Sequence, residues 1–70
     1  MKADRLSWVL SQTAETLEKS AALAEEHAQR CAQAGRSSEA DDERRAAEHA
    51  RHAAARARLR AAEASNWALG

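Results

Sequence analysis

Proline is absent from this chain and glycine occurs only twice, at Gly35 and Gly70. Without these helix interrupters, two long stretches of good helix formers run unbroken on either side of Gly35. Isoleucine, phenylalanine and tyrosine are missing too, and six Leu, one Val, one Met and two Trp are the only large apolar residues. So little bulk excludes a sizeable core. A single cysteine, Cys31, excludes an internal disulfide. Basic and acidic side chains cancel at eleven each, so no global field steers the chain toward nucleic acid or an anionic membrane. No apolar run is long enough for a signal-peptide core or a membrane span, and the expected location is the cytoplasm.

Alanine dominates what is present: twenty of the thirty-one apolar residues are Ala. Burial of such small side chains must offset about 1.5 kcal/mol of ordering entropy per residue, and for a chain of this size the balance falls near zero. Association with a second copy is the expected remedy. Abundant Ala and Arg with little Lys is the bias of a GC-rich bacterial genome.

The fold is set by the stretch from Ala34 to Ser38. Gly35 suits the position just past a helix end, where the left-handed conformation caps the last carbonyls without a Cβ penalty. Ser38 followed by Asp41 reads as a capping box, and Glu39, Asp41, Asp42 and Glu43 gather negative charge at the positive end of a helix dipole. The expectation is therefore an all-α antiparallel two-helix hairpin in one domain: a helix over about 3–34, a turn at 35–38 and a helix over about 39–67. At 1.5 Å per residue the first helix is about 45 Å long.

A heptad on the first helix places Ala3, Leu10, Leu17, Ala24 and Cys31 at one seam position. Leu6, Thr13, Ser20, His27 and Ala34 take the other, with Ser7, Ala14, Ala21 and Ala28 beside them. On the second helix Ala40, Ala47, Ala54, Ala61 and Ala68 recur every seven residues, with Ala50, Ala57 and Ala64 between them; only Glu43 breaks the seam. Folding the chain about Gly35 brings together residues whose numbers sum to about 75 or 76. Trp8 then faces Trp67, Leu6 faces Leu69, Glu18 pairs with Arg58, and Glu25 pairs with Arg51. Trp8, Val9 and Leu23 fall off the seam, as does a mildly apolar back face of His52, Ala55, Leu59, Ala62 and Leu69. These leftovers lead to a homodimer forming a four-helix bundle, with Leu6, Trp8, Leu10, Leu17, Leu23, Leu59, Trp67 and Leu69 as interface residues. In outline such an assembly resembles the Rop type of helical-hairpin dimer, with no functional motif matched residue by residue.

Three constellations could carry chemistry. His27 and Cys31, four apart on one helical face, could share a metal, completed across a two-fold axis or by His49 and His52. Two ligands fall short of a site, Arg51 disfavours a cation beside His49 and His52, and no cofactor is expected. Nucleophilic catalysis needs an oriented base and a concave pocket that a two-helix rod does not offer, so the chain is read as a non-enzyme. Arg44, Arg51 and Arg58, spaced by seven, could track a phosphate backbone, yet no aromatics interleave them and Glu48 and Glu63 dilute the charge. The leading functional expectation is a protein-protein interaction or assembly module, with a nucleic-acid accessory protein and a metal-binding bundle as alternatives.

Overall fold

In the computed structural model two α-helices, α1 (Lys2–Gln33) and α2 (Ser37–Leu69), pack side by side into a rod 53 Å long. It describes the backbone of residues 2–69 and the side chains of residues 5–66. The chain is all-helical and folded near its middle.

The reversal uses the hydrogen-bond pattern expected of a glycine-terminated helix. The Arg36 N–H donates to the Cys31 carbonyl (2.8 Å), and the Gly35 N–H donates to the Ala32 carbonyl (3.1 Å). These are the two bonds of a Schellman motif, with Gly35 at a φ of 79°. The Ala40 N–H then donates to the Arg36 carbonyl (3.0 Å), so Arg36 both closes α1 and caps α2. The second helix therefore starts two residues earlier than the sequence reading has it. Ser38 lies inside its first turn, which leaves no capping box with Asp41. Arg36 lacks a side-chain acceptor for the free N–H groups there; its guanidinium instead pairs with Glu39, 3.5 Å away.

On α2 the alanine seam is where the heptad puts it: Ala40, Ala47, Ala54, Ala57, Ala61 and Ala64 are buried. On α1 half of the assigned seam is corrected. Leu10, Leu17, Ala24 and Cys31 do face α2, but Leu6, Thr13, Ser20 and His27 are exposed. Their places are taken by Ser7, half-buried, and by the buried Ala14, Ala21 and Ala28. The reason is steric. A wall of methyl groups on α2 favours close approach by small residues, and the column of Ser7, Ala14, Ala21 and Ala28 supplies them where Leu6, Thr13 and His27 would add bulk. Ala14, Ala54 and Ala57 form the centre of this packing, with Leu17 covering it.

Side chains meet at two different offsets. Residues on or next to the seam meet where residue numbers sum to 70–72: His27 Nδ1 lies 3.5 Å from Glu43 Oε2, and Ser7 Oγ lies 2.8 Å from Ser65 Oγ. Ser7 also donates to the Ala61 carbonyl (3.1 Å), which leaves Ser65 as the donor to Ser7. The flanking ion pairs form at 76, as expected for Glu18 with Arg58 and Glu25 with Arg51. The larger offset follows from the tilt of side chains toward the N-terminus of their own helix. In an antiparallel pair, residues placed about a turn apart toward their C-termini lean toward each other. The expected Trp8 with Trp67 and Leu6 with Leu69 pairings lie outside the described residues, since the Trp67 and Leu69 side chains are not among them.

A Cβ built at Gly35 meets nothing within 4 Å, so only the positive φ opposes substitution there. Gly35→Ala is expected to lower stability by about 1 kcal/mol, and Gly35→Asn by less, in urea unfolding at fixed protein concentration.

Candidate interaction surface

The hairpin has two broad faces of different chemistry. One is laced across the helices by ion pairs. Arg58 donates from Nε and from its terminal nitrogen to the two oxygens of Glu18 (3.1 and 2.5 Å), a bidentate fork. Two turns along the ladder, Arg51 reaches Glu25 at 2.5 Å. The Arg58 hydrogen bond holds the Glu18 carboxyl below its ordinary range, and the Arg51 bond does the same for Glu25. Both arginines are held more firmly protonated in return. Arg44 is taken up within its own helix by Asp41 (3.3 Å), as Arg45 is by Asp42. Thus Arg44, Arg51 and Arg58, the candidate phosphate-binding stripe, each have a carboxylate partner.

The second face follows α1. Leu6, Val9, Thr13, Thr16, Ser20 and Leu23 are all exposed, and none is charged. Each stands one residue before a seam residue: Ser7, Leu10, Ala14, Leu17, Ala21 and Ala24. The stripe thus repeats the heptad of the hairpin seam, turned by about 100° around the helix. Thr13 donates its hydroxyl to the Val9 carbonyl (2.9 Å), so its polar group is already satisfied within the helix. The other three flanks of the two seams carry charge: Glu15, Glu18 and Glu25 beside the α1 seam, and Arg44, Arg51, Arg58 or Asp42, Arg56, Arg60 beside the α2 seam. Sequence reasoning found the members Leu6, Val9 and Leu23 but not the stripe. The signal that identifies it is the absence of charge at two heptad positions over Leu6 to Leu23.

The remaining interface candidates separate. Leu10 and Leu17 are half-buried between the helices. Trp8 and Leu59, 63% and 64% exposed, point away from both the seam and the uncharged stripe. Trp67 and Leu69 have no described side chain.

His27 and Cys31 do not come together as ligands. Cys31 is fully buried at the foot of the seam, where its thiol lies 3.9 Å from Glu39 Oε2, whereas His27 is exposed beside Glu43. The four-residue spacing puts them one turn apart, but the seam passes through Cys31 and Ala28 rather than His27. Among the described residues no group of three His, Cys, Asp or Glu is arranged to hold a metal. His49 and His52 are exposed on α2. Among the described residues, no helix is long and apolar enough to cross a membrane.

No protein-family model, curated protein or solved structure matches the chain. The fold and its surfaces alone carry the functional argument.

Carboxylates whose pKa is depressed by folding add stability that is present above the ordinary Glu value of 4.5 and lost as pH falls through the lowered one. Acid titration is therefore expected to destabilise the hairpin below about pH 4.5. A Glu18→Gln/Glu25→Gln variant, followed by circular dichroism at constant ionic strength, should show a flatter profile across the same window.

Proposed function

We propose that this chain is a small self-associating helical-hairpin protein, a homodimer of four helices, that serves as a protein-protein interaction or assembly module. One observation carries the reading. No fully buried side chain among the described residues is larger than Cys31, while Leu6, Trp8, Val9, Leu23 and Leu59 are 44–64% exposed. Apart from the half-buried Leu10 and Leu17, the inside is thus mostly methyl groups, and much of the apolar bulk lies outside. Fully burying an exposed Leu or Val side chain is worth about 1.5–3 kcal/mol, so covering the part of these residues that is still exposed adds a contribution that one hairpin leaves unused.

Trp8 and Leu59, set apart from the uncharged stripe, are the residues best placed to meet a partner protein once two hairpins have joined. Support for the nucleic-acid reading is weakened by the carboxylates on Arg44, Arg51 and Arg58, since binding phosphate there would mean breaking existing pairs. Among the described residues, a metal-binding bundle finds no third ligand beside His27 or Cys31. The cytoplasm remains the proposed location.

Sedimentation equilibrium with thermal melts over a thousandfold range of protein concentration tests the reading. A dimer, with a melting temperature that rises with concentration, is the expected result; a stable monomer throughout would remove the basis of the proposal.

A further inference from the structure

We infer that the uncharged stripe of α1 is the dimer seam, and that its occupant is the same stripe of a second copy running antiparallel across a two-fold axis between Thr13 and Thr16. This rests on the self-association reading and specifies its face, partner and register.

Three observations converge. First, the stripe is self-complementary when read in either direction. Its order is Leu6, Val9, Thr13, Thr16, Ser20, Leu23. A two-fold axis at its midpoint sets Leu6 against the second copy's Leu23, Val9 against Ser20 and Thr13 against Thr16. Leucines close both ends, and small β-branched or hydroxyl residues meet in the middle, over a length of about 26 Å. A closed two-fold contact requires this kind of match of one patch with itself.

Second, the flanking charges match in the same register. Arg5 and Glu26 border the stripe on its outer side, both exposed. The axis that pairs Leu6 with Leu23 brings Arg5 of one copy to Glu26 of the other, and symmetry makes the pair twice. Gln12 and Lys19, the border residues between them, meet without conflict. Third, the stripe lies about 100° round α1 from the hairpin seam, the angle needed for a helix at the corner of a four-helix assembly. On α2, the same face carries Arg56 and Arg60. Those charges keep α2 at the rim, so the close contact is α1 on α1.

The Thr13 hydroxyl is bonded within its own helix, so burying it leaves no unmet donor. At Thr13, a helix from a second copy therefore meets a satisfied side chain.

The test uses the full chain. Thr16→Glu places two negative charges near the axis, and the dimer dissociation constant from sedimentation equilibrium should rise about 100-fold. Arg5→Glu and Glu26→Arg should each weaken the dimer about threefold, and the combined swap should restore it. As a structural readout, Thr16→Cys in a Cys31→Ala background should oxidise to a disulfide-linked dimer, whereas Ala22→Cys in the same background should not. Should the parent chain be monomeric at every concentration, both this inference and the self-association reading fall. Should the parent dimerise while Thr16→Glu dimerises equally well, or should Ala22→Cys cross-link in preference to Thr16→Cys, this inference alone falls.

Discussion

Close approach of two alanine columns is the constraint on which the remaining features depend. Ala14, Ala21 and Ala28 on one helix and Ala40, Ala47, Ala54, Ala57, Ala61 and Ala64 on the other offer only methyl groups, so the helices are held by many small dispersion contacts at short range. Such a seam admits bulk only at its margin, where Leu10 and Leu17 are half-buried. Leucines, valine and tryptophan that another hairpin would bury are turned outward or left at its margin. The outward apolar surface is thus a consequence of how the core is built.

Closeness also explains the turn and the ladder. A three-residue connection from Ala34 to Arg36 can join helices only when they are near, and Gly35 at positive φ lets the chain reverse within that span. At the foot of the seam, the Glu39 carboxylate gathers Arg36 and the Cys31 thiol, so one acidic side chain ties the turn to the core. Farther along, the Glu18 with Arg58 and Glu25 with Arg51 pairs span the groove on one side only. They are exposed and add little to stability at moderate salt; their value is to fix register and to mark that face as the solvated one.

Much of this was legible in the residues. Gly35 gave the reversal, strict seven-residue spacing gave the α2 seam, and the two cross-helix ion pairs followed from folding the chain about its middle. The α1 seam was legible only in part. Leu6 draws the heptad toward bulk, whereas the packing selects the column of Ser7, Ala14, Ala21 and Ala28, one position away from it. His27 looked like a companion to Cys31 for the same reason: spacing by four gives a shared face but does not say which edge of that face meets the neighbour. The start of α2 was misplaced because Ser38 has the chemistry of a cap, while the Schellman turn had already made Arg36 the junction.

The central claim is that methyl groups of Ala14 on α1 and of Ala54 and Ala57 on α2 are in contact, drawing the two rods together. Methyl-labelled alanine in solution reports this directly through nuclear Overhauser contacts. Cross-peaks linking the Ala14 methyl to those of Ala54 and Ala57 are predicted, together with none from the Thr13 methyl to α2. Absence of the alanine cross-peaks, or a seam traced instead through Leu6, Thr13 and Ser20, would contradict the account.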